Sequence, residues 1–331
     1  MADLTTNYLG LKLKNPIIVG SCTLTSKIED IEQLEQAGAG AIVLKSIFEE
    51  EILHEAKEKL QETMERKLIY SHLSETLDYV DVHTQGRKLD NYLQLVREAK
   101  SKISIPIIAS INCVSDTQWT EFATDIENAG ADALELNISM NPLDVKNQKK
   151  EFTVIKIIKK ILKATKIPVA VKISDRYSNL SGTITELGAS GISGLVLFNR
   201  FFSPDIDIYN FSLVQGRMHS CDSEYIRPLR WIALMSDKVE CSLAASSGIH
   251  DGNTVVKMLL AGADVVQIVS TLYLNGKDYI IQLLSDIEKW MLEKGIFSIS
   301  QFKGMASYKK SGDPFLYERV QFMKYFGRIG R

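Results

Sequence analysis

Two lysines stand at the ends of apolar runs: Lys45 closes residues 41–45 (AIVLK), and Lys172 lies within 168–173 (PVAVKI). A buried ammonium without a partner is costly. Each lysine therefore needs a carboxylate, such as that of Glu135, or a ligand that is anionic or electron-rich. For one lysine the two readings weigh equally; for a pair the ligand is favoured. Short polar residues follow the other apolar runs: Gly20-Ser21-Cys22, Ser46, Ser110-Ile111-Asn112, Asn137-Ile138-Ser139, Ser174, Asn199-Arg200, Ser247-Gly248 and Ser270-Thr271. The last two pairs each precede a helical segment, where free backbone N–H groups bind phosphate. A phosphate-bearing cofactor is the leading ligand class, and Arg200 suits an acidic substrate through a bidentate contact.

Other chemistries lack their residues. Cys22, Cys113, Cys221 and Cys241 form no Cys-x-x-Cys pair, and the five histidines show no His-x-x-x-His spacing. No metal site, iron–sulfur cluster or disulfide framework is expected. A dinucleotide loop of the Gly-x-Gly-x-x-Gly type is also absent. Lys and Arg number 39 against 41 Asp and Glu, so no basic field is available for nucleic acid or an anionic membrane. No apolar run approaches the roughly 18–20 residues of a membrane span, and the first residues are unlike a signal peptide. The expectation is a cytoplasmic enzyme or ligand-binding domain with a small-molecule partner.

The elements that would position these residues are legible. Eight short runs read as strands: 16–20, 41–45, 106–111, 133–138, 168–173, 194–199, 241–246 and 265–269. Val/Ile/Leu runs without polar alternation indicate strands covered on both faces, as in parallel sheets. Helix-period segments at 28–37, 116–129, 152–163, 183–187, 226–236 and 254–260 lie between them. Several end in Gly-Ala turns, as in Ala261-Gly262-Ala263-Asp264, where glycine suits a left-handed cap. The repeated alternation predicts one α/β domain over 1–331, a (β/α)8 TIM barrel, in preference to an open doubly wound sheet. Connections 46–104 and 201–224 read as long loops at the C-terminal mouth, with helical stretches at 49–66 and 91–101. Residues 274–295 read as a closing helix, and 297–331 as a tail packed outside the barrel. Barrel active sites form at the C-terminal strand ends, where the polar residues above fall.

With these residues in place, the chain resembles the class 1 dihydroorotate dehydrogenases, flavin barrels of the pyrimidine pathway. The likeness runs from Asp3 to about Tyr273. It rests on Leu13-Lys14-Asn15-Pro16, Glu135-Leu136-Asn137-Ile138-Ser139, Val171-Lys172-Ile173-Ser174 and the stretch from Ser247-Gly248-Ile249 to Gln267. The resemblance implies FMN, with Gly20 and Ser21 against the flavin, Lys45 and Ser46 on its ring system, and Asn112 at one edge. Asn137 would bridge flavin and substrate, and Lys172 would face the pyrimidine end, where a cation stabilises the reduced flavin's negative charge. Ser247, Gly248, Ser270 and Thr271 would bind the phosphate. Asn137, Asn141, Asn199 and Arg200 would hold the substrate, with Asn199 also near the cofactor. The resemblance further implies a homodimer.

Departures from the family pattern gather on the substrate side. Where the family has Cys-Pro-Asn, with cysteine as the base, this chain has Met140-Asn141-Pro142, and methionine cannot take a proton. The family's Asn-rich substrate loop is missing, its place taken by the segment from His72 to Tyr79. Arg200 replaces a Ser or Thr, and Ser247 replaces one glycine of the phosphate loop. Ser139, His72, His83, His219 and Cys221 are the candidate replacement bases. The leading expectation is an FMN-dependent oxidoreductase converting dihydroorotate to orotate. The alternatives are an FMN oxidoreductase acting on a different small acid or ring compound, and a flavin-binding barrel without chemistry. A barrel lyase acting on sugar phosphates through a Lys45 or Lys172 Schiff base is a weaker reading.

Overall fold

Successive side chains of a strand face opposite sides, so a closed parallel sheet sorts its residues into an interior set and a helix-facing set. The computed structural model describes residues 2–48, 86–113, 119–138, 150–200 and 204–318. Within them the strands are β1 (Thr6–Tyr8), β2 (Leu11–Leu13), β3 (Ile17–Val19), β4 (Ala41–Val43), β5 (Ile47–Phe48), β6 (Ile107–Cys113) and β7 (Ala133–Ile138). They continue with β8 (Val169–Ile173), β9 (Gly194–Leu197), β10 (Pro204–Asp207), β11 (Ser212–Gln215), β12 (Ser242–Ser246) and β13 (Val265–Ile268). Strands β3, β4, β6, β7, β8, β9, β12 and β13 pair in parallel in that order, and β13 returns to β3. This closed sheet, ringed by helices, is the (β/α)8 TIM barrel that the strand–helix alternation predicts.

Interior residues form rings. The first is apolar: Ile18, Val43, Ile108, Ala133, Ala170, Val196, Ala244 and Val265 pack together, and Tyr8, Leu9 and Leu13 close them from the N-terminal end. Two residues further along the same strands stand Gly20, Lys45, Ser110, Glu135, Lys172, Phe198, Ser246 and Gln267. Of these, Ser110, Glu135, Lys172, Ser246 and Gln267 are polar and buried. The polar ring therefore lies at the C-terminal end of the strands, directly above an apolar floor.

Two hairpins and a split helix differ from the sequence expectation. The β1–β2 hairpin that plugs the barrel turns through Leu9 and Gly10, both at positive φ, and its three-residue strands are too short to show alternation. Strands β10 and β11 pair within the segment expected to be a loop; their side chains are mostly exposed on both faces, so no alternation marks them. The closing helix runs only over Tyr279–Glu293, because Gly276 at φ 86 separates it from a short helix over Ser270–Asn275. In the tail, Phe302 is fully buried, and Gly304 and Tyr308 donate to Leu259 and Ala233 carbonyls at the ends of two outer helices. The expected helix at 49–66 lies outside the described residues.

Asn15 ties the entry into β3 to the turn before β4. Its side chain donates to the Gly38 carbonyl at 2.7 Å and accepts from the Ile17 N–H at 3.0 Å. Gly40 passes so close that a Cβ there would lie 2.4 Å from the Asn15 carbonyl oxygen. Backbone cannot yield as a flexible side chain can, so Gly40→Ala is expected to cost about 1–3 kcal/mol, read as a lower denaturation midpoint in urea.

Candidate functional site

The two strand-end lysines have different surroundings. Lys45 is exposed, whereas Lys172 is 7% exposed and belongs to the buried ring. The Lys172 Nζ donates to Gln267 Oε1 at 2.8 Å and lies 3.9 Å from Glu135 Oε1. Gln267 Nε2 in turn donates to Glu135 Oε2 at 2.5 Å. The chain is self-consistent: the glutamine oxygen meets the cation and its amide nitrogen meets the carboxylate, so the amide orientation follows from its neighbours. Among the described residues Glu135 Oε1 has no hydrogen-bond partner, and it lies 3.9 Å from the Lys172 ammonium.

Beside this trio runs a line of hydroxyls. Ser46 donates its backbone N–H to Ser21 Oγ at 2.8 Å, and the Ser46 hydroxyl lies 3.0 Å from Ser21 Oγ and 2.7 Å from Ser110 Oγ. Tyr92 supports it from the helix Gly86–Lys102. The pairing of β4 with β6 ends at Val43↔Ile108, and that of β5 with β6 begins at Ile47↔Ile111. Ser110 falls in the gap, and the Tyr92 hydroxyl fills it: it accepts from the Ser110 N–H at 2.7 Å and donates to the Ser110 carbonyl at 3.1 Å. Burial pushes the Tyr92 phenol well above its ordinary range, so it serves as a neutral hydrogen-bonding strut.

One ring higher, Asn112 and Asn137 are direct neighbours across β6 and β7. Asn199 donates its side-chain amide to Asn137 Oδ1 at 2.9 Å, joining the ends of β7 and β9. Asn112 Oδ1 is buried and has no hydrogen-bond partner among the described residues. An acceptor left in this state marks a place where a donor is missing.

The expected phosphate positions come together through the loop that follows β11. Ser247 and Gly248 both have positive φ, at 84° and 71°. A Cβ on Gly248 would lie 2.2 Å from the Tyr225 backbone nitrogen, so only glycine fits that approach. Serine in place of the first glycine therefore keeps the left-handed turn, at the strain usual for a side chain there. Ser270 Oγ accepts from the Ser220 N–H at 2.9 Å, and Ser220 Oγ lies 2.9 Å from His250 Nε2. Thr271 is fully buried, its hydroxyl donating to the His250 carbonyl at 3.4 Å. Its side chain is thus turned into the fold, leaving the backbone as the part available to a ligand.

Arg200 differs from its expected surroundings. Its guanidinium donates to Glu224 Oε2 at 3.0 Å and to the Met218, Arg217 and His219 carbonyls at 2.6, 2.9 and 3.2 Å. Most of its five donors are thereby spent on the 217–224 segment. Asn199, Arg200, Glu224 and Ser247 also line a cavity of about 600 Å³ that continues to Asp175, Arg176 and Arg227. Of the candidate bases, His219 stacks on Tyr273 with ring centroids 5.3 Å apart. The half-buried Cys221 has its thiol 3.1 Å from Ser223 Oγ, and that hydrogen bond pulls its titration down. Cys22 near the end of β3 is pushed up by burial. Ser139, Met140, Asn141, His72 and His83 lie outside the described residues.

Tyr92, Ser220, Glu224 and Gln267 are the site residues that sequence reasoning missed as such. Gln267 carried a signal, being the one polar side chain inside the run 265–269 (VVQIV). Tyr92 and Ser220 carried none, because both act across long sequence separations. Among the described residues no helix is long and apolar enough to cross a membrane, and no cluster of His, Cys, Asp and Glu could hold a metal ion.

Comparison with known proteins identifies the family. The sequence model described as "Dihydroorotate dehydrogenase" matches residues 3–291. A protein named "Dihydroorotate dehydrogenase B (NAD(+)), catalytic subunit" from Thermoplasma volcanium is 26% identical over 317 residues, covering 92% of this chain and 99% of its own. Proteins of the same name from Pyrococcus abyssi and Endomicrobium trichonymphae are 25% and 24% identical, covering 92% and 91% of this chain and 99% and 96% of theirs. A match spanning the whole barrel, polar ring included, makes this chain a member of the dihydroorotate dehydrogenase family of oxidoreductases.

Proposed function

We propose that the protein is an FMN-dependent oxidoreductase that removes hydride from a CH–CH bond of a small, acidic ring compound, dihydroorotate being the first substrate to test. The observation that carries this reading is the buried ammonium of Lys172, the one buried lysine among the described residues, set in a ring of polar side chains at the strand ends. The residues fit the cofactor. Asn112 Oδ1 is a buried acceptor lacking a donor, as a heteroaromatic N–H would supply. Lys172 has three N–H donors and gives one to Gln267, so donors remain for an electron-rich ring edge. Backbone N–H groups of Ser247, Gly248, Ser270 and Thr271 suit the phosphate. When bound, FMN would supply the two-electron acceptor for the hydride.

The chain's own residues would do the rest. Lys172 stabilises negative charge at the ring edge, and Lys45 flanks the same ring from the end of β4. Gly20 leaves room, while Ser21 and Ser46 offer hydroxyls. Asn137 and Asn199, locked to each other, orient the substrate. Asn141 joins them by sequence alone. Arg200 we assign to holding the 217–224 segment rather than to the substrate carboxylate, because Glu224 and three carbonyls take its donors. Methionine cannot accept the substrate proton, so Ser139, its neighbour in sequence, is the first candidate for that task.

Met140 also favours a second reading, a flavin-binding barrel without turnover on dihydroorotate. The two separate cleanly. Purified protein is expected to be yellow with a flavin absorbance spectrum, and dihydroorotate is expected to bleach it under anaerobic conditions. Bleaching no faster than a substrate-free control would sink the dihydroorotate label, and a colourless protein that cannot be loaded with FMN would sink the flavin reading. Restoring a thiol base by Met140→Cys is expected to accelerate bleaching about a hundredfold, in stopped-flow records.

A homodimer belongs to the same reading. The β10–β11 hairpin exposes Ile206, Tyr209, Phe211 and Leu213 at 62%, 86%, 90% and 77%. A two-stranded hairpin is marginal alone, and apolar side chains gathered on it mark an interaction surface. The second copy of this chain is the proposed cover. Sedimentation is expected to show a dimer at micromolar concentration for the wild type and a monomer for Phe211→Asp/Leu213→Asp; a wild-type monomer refutes this part.

A further inference from the structure

The Lys172 ammonium is held by two buried groups, Gln267 and Glu135. Glu135 is 1% exposed and Gln267 2%, deep in the barrel beneath the strand-end residues. A buried carboxylate is expensive to keep, and replacing a whole buried ion pair with well-packed apolar residues is often neutral or stabilising in proteins. The chain nevertheless keeps Glu135, with Oε2 accepting from Gln267 and Oε1, unpartnered among the described residues, 3.9 Å from Lys172 Nζ. Direct contact between the carboxylate and the ammonium is replaced by the Gln267 amide, which spans them at 2.8 Å and 2.5 Å. This arrangement does two things. It fixes the ammonium position through a rigid bridge, and it places a negative charge close enough to weaken, without cancelling, the positive field above Lys172.

We propose that Glu135, acting through Gln267, is a positioning residue that sets how strongly Lys172 favours negative charge on the bound cofactor, and so sets the cofactor's reduction potential. This rests on the FMN reading above. Removing the carboxylate strengthens the field of Lys172 and favours the reduced, more negative cofactor. Moving the carboxylate onto the glutamine position puts it in direct contact with the ammonium and does the reverse. A residue that merely fills space predicts neither sign.

The test compares wild type, Glu135→Gln and the swapped pair Glu135→Gln/Gln267→Glu as full-length protein loaded with FMN. The midpoint potential is read by spectroelectrochemistry. In Glu135→Gln the reduced form is expected to gain about tenfold over the oxidised form, an upward shift of about 30 mV for a two-electron couple. The swapped pair, which keeps the buried charges balanced and so guards against unfolding, is expected to fall below wild type by about threefold. Either variant sitting at the wild-type potential, or shifting in the opposite direction, overturns the proposal. A second readout needs no flavin: the rate at which acetic anhydride labels Lys172 in the cofactor-free protein, followed by peptide mass spectrometry. Lys172 is expected to react at least threefold faster in Glu135→Gln and slower in the swapped pair; equal rates in all three proteins overturn the proposal. Should the wild type take up no FMN, the function reading fails and this labelling decides the positioning role by itself.

Discussion

A charge inside a barrel must bring its own solvent. Lys172 is placed in the barrel interior by the same alternation that puts Ala170 into the apolar floor, two residues earlier on β8. Once there, it requires Gln267 from β13 and Glu135 from β7. Deleting one partner of a buried ion pair costs about 3–5 kcal/mol, which ties three strands together by electrostatics as well as by their ladders. The polar ring is thus a structural layer and a functional surface at once. Below, Gln267 and Glu135 hold the ammonium, while above it Lys172 keeps donors beyond the one given to Gln267, and Asn112 Oδ1 has no partner among the described residues.

The barrel was readable because its strands are continuous apolar runs and its helices have clear period and glycine ends. All eight runs correspond to barrel strands, with ends shifted by a few residues. Polar residues at those run ends were equally visible, and the structure brings Ser21 to Ser46 and Asn137 to Asn199. What sequence hid was partnership. Nothing in local pattern says that the Tyr92 hydroxyl serves Ser110, or that Ser220 bridges Ser270 and His250, since these contacts join segments 18 to 50 residues apart. Arg200 illustrates the same limit: its type suited an acid, but its donors meet Glu224 and nearby carbonyls.

The difference between Lys45 and Lys172 follows from the strands that carry them. Strand β8 runs on to Ile173, so Lys172 stays inside the ladder. Strand β4 stops at Val43, and Lys45 lies beyond it, exposed where the chain steps outward before β5 resumes pairing. Two residues that look alike in sequence thus differ in freedom, one clamped and one able to reorient toward whatever occupies the mouth.

The interruption between β4 and β5 leaves backbone groups of β6 that must be met by something else. A chain can leave and re-enter a sheet cheaply only where no backbone group is stranded by its departure. The Tyr92 hydroxyl, by serving both the N–H and the carbonyl of Ser110, seals the sheet at that seam from a helix on the far side of the excursion. The integrity of the barrel at this seam is thus carried by one side chain and not by the backbone alone.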